Sequence, residues 1–181
     1  MHPKDYMDSA KEQMRYETHN NDIHDKRYQK FVSPITKTVE KNFSTQAKGI
    51  DFGCGTGPVA THVLQQKGFK NIALYDPYFH NHPEVFKEKY DFIMCCEVME
   101  HFYQPQVEFK KLRQLLKPGG QLLCKTRLFL AHENQTDFEK WHYKDDKTHV
   151  FFYGEKSLAY IKDQMGFKTL DFNKKLIQFG L

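Results

Sequence analysis

The chain has 181 residues and a mass of 21.6 kDa, enough for one domain around a single core with little left for a second. Its 39% hydrophobic and 28% charged residues exclude a disordered chain, and no apolar run reaches the length of a membrane span. The charged first thirty residues contain no signal-peptide core, so a cytoplasmic protein without a membrane partner is expected. A net charge of +4 permits an acidic partner, but the lysines are scattered and no basic block marks a nucleic-acid surface. The four cysteines, at 54, 95, 96 and 124, sit in apolar or glycine-rich segments and form no CxxC pair, which argues against a disulfide scaffold.

Residues 1–46 are polar and carry one helix signal, Ser33 as N-cap and Pro34 at the first helical position, continued by Ile35 and Val39. They are expected to form a helical cover over the site, with residues 47–181 as the main domain. From Lys48 onward short apolar runs alternate with helical patterns, as in an α/β domain with a parallel sheet. Residues 49–52 read as a strand entering a glycine cluster, and Val59, Ala60, Val63 and Leu64 as the helix that follows. Further strands are expected at 71–76 and 90–96; the latter is apolar throughout, as a strand covered on both faces should be.

Between those two strands too few residues remain for a full crossover, so one strand-helix unit is expected to be shortened or missing. Phe109, Leu112, Leu115 and Leu116 mark a helix ending at Pro118-Gly119-Gly120, with a strand at 121–126. Residues 127–153 lack a period and are rich in aromatics, which suggests a long insertion or lid. A helix through Leu158, Ile161 and Met165 stops at Gly166, and 167–172 and 175–181 close the chain as an antiparallel hairpin. The expected fold is a Rossmann-like, doubly wound α/β sheet, mostly parallel with a C-terminal antiparallel hairpin.

The strongest chemical signal is Asp51-Phe52-Gly53-Cys54-Gly55-Thr56-Gly57, between a predicted strand and a predicted helix, where glycines let a ligand approach the backbone. Counted from Gly53, the sixth residue is Pro58, so the G-x-G-x-x-G spacing of a nicotinamide-binding loop is absent. Asp76 ends the second strand and places a carboxylate beside the glycine turn, where it suits the two hydroxyls of a ribose. A nucleoside-bearing ligand is implied.

With these motifs the chain resembles the class I S-adenosylmethionine-dependent methyltransferases, matching DFGCGTG, Asp76, YDFIMCCEVMEHF at 90–102 and LLKPGG at 115–120 in order. The segment WHYKDDKTHVFFY at 141–153 is similar to a stretch in small bacterial members of unassigned substrate. The resemblance implies S-adenosylmethionine as cofactor, held by the glycine loop (Asp51, Gly53, Cys54, Gly55, Gly57), by Asp76 with Pro77 at the ribose, and by Cys96, Glu97 and Val98 near the sulfonium. The short connection after Asp76 lacks the usual third strand and the acidic residue that contacts adenine.

A sulfonium methyl is already electrophilic, so the protein has to align the acceptor, exclude water and, for a protonated acceptor, supply a base. Glu97, Glu100 and His101 share one face if the chain is helical there, beyond the strand end where doubly wound sheets bind ligands. His101 is the first candidate base, followed by His149 and His142 in the aromatic insertion, with Tyr16 and His19 behind them. The same acids and His101 resemble part of the ExxEHH metal site of small-RNA 2′-O-methyltransferases, but the sixth position is Phe102, and further ligands such as His149 would be needed. No metal is therefore expected. A small-molecule acceptor is favoured over RNA, and a nicotinamide-dependent oxidoreductase is the reading from another class.

Overall fold

The computed structural model describes residues 1–18, 21–130 and 135–181. Its centre is a six-stranded sheet built from β1 (Gly49–Phe52), β2 (Ile72–Tyr75), β3 (Tyr90–Cys96), β4 (Leu116–Lys125), β5 (Thr169–Asn173) and β6 (Leu176–Gly180), in the order β2-β1-β3-β4-β6-β5. The first four strands run parallel, and the β5–β6 hairpin adds antiparallel to β4. The expected fold class is thus the observed one. Between β2 and β3 the chain forms only a bridge from Asp76 to His80 and a 3-10 turn at Pro83–Lys87. The shortened unit therefore leaves β2 at the sheet edge.

Helices cover both faces because side chains alternate across the strands. Ile50, Ile93, Cys95, Leu122 and Phe179 pack with Phe109 and Leu112 of α4 (Pro105–Leu115) and Leu158 and Ile161 of α6 (Glu155–Met165). Phe92, Met94 and Leu123 face the other way, onto α2 (Lys26–Asn42) and α3 (Val59–Gln66). Each layer is a continuous apolar core. α6 ends as expected, with Gly166 in the left-handed region at φ 73°.

Two local expectations are corrected. The helix placed at Ser33-Pro34 begins earlier, at Lys26, with Asp25 as its cap: the Asp25 carboxylate accepts from Arg27 N–H at 2.8 Å. Pro34 is tolerated inside it because the Ser33 hydroxyl donates to Lys30 O at 2.8 Å, serving the carbonyl that proline leaves without a donor. Moreover, α2 buries Val32, Ile35 and Val39 in the sheet core. It belongs to the sandwich, whereas α1 (Ser9–Glu17) lines the cavity through Glu12 and Tyr16 without joining either core cluster.

β4 also begins before the predicted strand, at Leu116. It absorbs Pro118-Gly119-Gly120 in an irregular stretch where its pairing with β3 shifts register, with Gly119 at φ 77°. Within the expected insertion, residues 131–134 lie outside the described ones, as does His19. The rest holds a short helix α5 (Gln135–Glu139) and a 3-10 turn at His142–Asp145. Trp141 is buried there against Phe129, Phe138, Tyr143 and Phe152. The aromatic cluster is a packed wedge.

Candidate active site

A cavity of about 990 Å³ opens at the carboxyl ends of β1, β2 and β3. The chain turns outward from β1 to β2 and then crosses back to β3, and this switch of direction leaves a crevice outside the strand ends. At one end lies the glycine turn. Gly53 has φ 76°, and a Cβ there would fall 2.4 Å from Val98 Cγ2. Gly55, at φ 64°, donates its N–H to the Asp76 carboxylate at 3.0 Å. Turn and acid therefore converge, as their spacing predicts.

Asp76 is held by the backbone on both oxygens, since Oδ1 also accepts from Tyr78 N–H at 2.9 Å and Phe79 N–H at 3.2 Å. A carboxylate offers about four acceptor positions. Among the described residues three are used, and the fourth, on Oδ2, could accept from one hydroxyl of a sugar; a second hydroxyl would have to displace Tyr78 or Phe79. Asp51 lies beneath the turn, fully buried, accepting from the Thr61 hydroxyl at 2.8 Å. Burial pushes its carboxyl up to about 6, against the hydrogen bond from Thr61.

The other end is assembled from distant segments. Glu12 of α1 is 5% exposed and accepts from three phenols, Tyr16 at 2.6 Å, Tyr78 at 2.8 Å and Tyr103 at 3.0 Å. Sequence reasoning missed this acid; its only trace is the i, i+4 spacing of Glu12 and Tyr16. Tyr143, also unforeseen as a polar residue, directs its hydroxyl at both Glu97 Oε2, 2.9 Å away, and Glu100 Oε1. One phenolic proton serves only one carboxylate, so the two acids oppose each other. Burial, then the Glu100 charge, pushes Glu97 up to about 7, while Lys125 works in the opposite direction. Glu97 also sits at φ 54°, a strained conformation for a residue with a Cβ.

His101 and His149 both line the cavity, with ring centroids 4.8 Å apart. Burial lowers the pKa of each, which favours neutral imidazoles. His142 is not brought to this site. Its side chain is 96% exposed, 3.7 Å from Asp145, because the turn at His142–Asp145 points Tyr143 inward and its neighbour outward. Cys54, Pro77, Cys96, Glu97 and Val98 line the cavity as expected, and burial raises the thiols of Cys54 and Cys96, so neither is a ready nucleophile.

A glycine turn and a strand-end acid meeting at the switch point of a doubly wound sheet define an α/β domain of nucleoside-binding type. A model of the methyltransferase domain matches residues 23–171, most of the chain. The chain belongs to this methyltransferase family, and by its sheet and motifs to the class I, S-adenosylmethionine-dependent kind.

A ubiquinone biosynthesis O-methyltransferase of Serratia proteamaculans is 28% identical over 81 residues, covering 45% of this chain and 33% of that one. The match thus spans about a third of that relative. Among solved structures, an O-methyltransferase family protein of Burkholderia thailandensis has a TM-score of 0.60 at 13% identity, over 93% of this chain and 61% of the other. A methyltransferase of Thermotoga maritima has a TM-score of 0.56 at 15% identity, over 95% of both chains. Human N-acetylserotonin methyltransferase, solved with S-adenosylmethionine, has a TM-score of 0.60 at 15% identity, over 84% of this chain and 53% of its own. At these identities the structures establish the fold alone.

Proposed function

We propose that this chain transfers a methyl group from S-adenosylmethionine to an oxygen of a small organic acceptor. The observation that carries the reading is the single cavity of about 990 Å³ that joins the Gly55–Asp76 pair to the His101–His149 pair. Its volume suits a nucleoside cofactor together with a small acceptor. The relative named for O-methylation in ubiquinone biosynthesis supports the choice.

When bound, S-adenosylmethionine supplies a methyl on a sulfonium, whose S–C electron pair returns to sulfur as the acceptor oxygen forms its bond to carbon. Asp51, Gly53, Cys54, Gly55, Gly57, Asp76 and Pro77 would hold the nucleoside and its tail, and Cys96, Glu97 and Val98 would border the reacting centre. The acceptor proton leaves to the unprotonated Nε2 of His149 or His101. α1, fastened through Glu12 to Tyr78 and Tyr103, shields this centre from water and keeps the oxygen aligned. Four cysteines, all free thiols, support action in a reducing compartment such as the cytoplasm.

A thermal-shift and calorimetric panel tests the reading. S-adenosylmethionine should stabilise the protein and NAD should not, and methyl-labelled cofactor should label small phenolic or hydroxylated compounds. Stabilisation by NAD alone would establish the oxidoreductase reading, and label confined to RNA would establish the nucleic-acid one.

A further inference from the structure

One end of the cavity brings together three groups able to ligate a metal. A carboxylate oxygen of Glu100 and one ring nitrogen each of His101 and His149 all lie within 4.8 Å of one another. Each imidazole turns Nδ1 to a backbone carbonyl, His101 to Thr148 O at 2.9 Å and His149 to Tyr143 O at 2.7 Å. A carbonyl only accepts, so both Nδ1 atoms carry the proton and both Nε2 atoms present a lone pair. An outer carbonyl that fixes the tautomer in this way is the usual support of a metal-ligating histidine.

Glu100 supplies the second, independent observation. It is 0% exposed, its Oε1 takes the Tyr143 hydroxyl, and its Oε2 is buried with no hydrogen-bond partner among the described residues. An unpaired buried carboxylate oxygen is strongly unfavourable. Lys125 does not relieve it, since its ammonium is directed to Glu97 at 3.5 Å and lies over the Phe31 ring. A partnerless carboxylate oxygen thus belongs to a group that lies beside two imidazoles, and a cation held by the three groups would satisfy it.

We propose that Glu100, His101 and His149 bind one divalent transition-metal ion at the acceptor end of the cavity. Two imidazoles and one carboxylate suit zinc, iron or cobalt better than magnesium or calcium, which favour all-oxygen shells. Metal–ligand bonds of about 2.1 Å place ligand atoms roughly 3 to 4 Å apart, so the cluster needs to contract only slightly. Three protein ligands leave positions open for an acceptor hydroxyl, whose proton a metal makes easier to remove. With the ion bound, both Nε2 atoms are ligands and no longer bases, and the proton of the acidified hydroxyl leaves to water in the open cavity. This role rests on the proposed methyl transfer; the binding of the ion does not.

Cobalt is a suitable probe because its ligand-field absorption reports nitrogen ligation without any enzyme assay. Metal-stripped full-length protein titrated with Co²⁺ should develop a visible band that saturates at one equivalent. His149→Ala and Glu100→Gln should each weaken binding at least tenfold, whereas His82→Ala, at a side chain 60% exposed, should leave it unchanged. No band in the wild type, undiminished binding in both cluster variants, or loss with His82→Ala would overturn the proposal. Should the cluster variants fail to fold, the wild-type titration decides by itself. Calorimetry with S-adenosylmethionine in metal-free buffer separates the two readings: cobalt binding without cofactor binding keeps the metal site and removes the methyl-transfer role, and the converse removes only the metal.

Discussion

At the glycine-turn end of the cavity the hydrogen bonds on Asp76 come from Gly55, Tyr78 and Phe79, all in the turns that leave two neighbouring strands, and all three are backbone N–H groups. At the other end Glu12, Glu100, Tyr103, Tyr143 and His149 arrive from separate parts of the chain, the first four joined through side-chain hydrogen bonds and His149 set against the Tyr143 carbonyl. The difference is one of construction. A backbone cradle is fixed by where the strands end and tolerates few substitutions, whereas a side-chain cluster depends on every segment docking and permits variation in what it binds.

The largest effect is expected at the backbone cradle. Gly53→Ala puts a Cβ at positive φ and 2.4 Å from Val98; left-handed strain and overpacking together should destabilise the fold by about 3 to 4 kcal/mol. Thermal unfolding measures it. A variant as stable as the wild type would show that the turn is not constrained by glycine.

Asp51→Asn should act in the opposite direction. Because the folded carboxyl is raised from 3.8 to about 6, the folded state retains a proton that the unfolded state releases. Stability therefore declines as pH rises through this window, and the full penalty is present above it. The asparagine removes the charge and keeps an acceptor for Thr61, so at pH 8 it should be more stable by up to about 3 kcal/mol, and at pH 3 no more stable. Denaturant unfolding at the two values checks the sign; a gain independent of pH would contradict it.

Asp76→Ala should weaken S-adenosylmethionine binding by about 2 kcal/mol, the loss of a charged acceptor at the ribose. Titration calorimetry measures it, and unchanged affinity would remove Asp76 from the site. The smallest effect belongs to the side-chain end. Tyr103→Phe removes one of three hydroxyls on Glu12, and amide exchange in α1 should accelerate as if its opening became about 1 kcal/mol easier, with cofactor affinity unaltered.

The same division explains which features are legible in the sequence. β1, the glycine turn and Asp76 are read from one continuous stretch, because strand, turn and strand-end acid depend on local spacing. The hairpin from Thr169 to Gly180 and the stop at Gly166 are equally local. The start of α2 is hidden because proline ordinarily opens a helix, and the Ser33 bond to Lys30 that permits it mid-helix is invisible in a propensity pattern. His142 and Tyr143 are adjacent, yet only the direction of a short 3-10 turn decides which of them enters the cavity. Glu12 is similarly silent, since three phenols make its burial favourable only after the chain has folded.

The proposal that turn and acid hold one adenosine-bearing ligand is tested most directly by a crystal structure of the protein with S-adenosylhomocysteine, the demethylated cofactor. The ribose should lie within hydrogen-bonding distance of the Asp76 carboxylate, with the amino-acid tail along Gly53 to Gly57. A nucleoside seated elsewhere, with Asp76 still closed onto Gly55, Tyr78 and Phe79, would contradict the assignment.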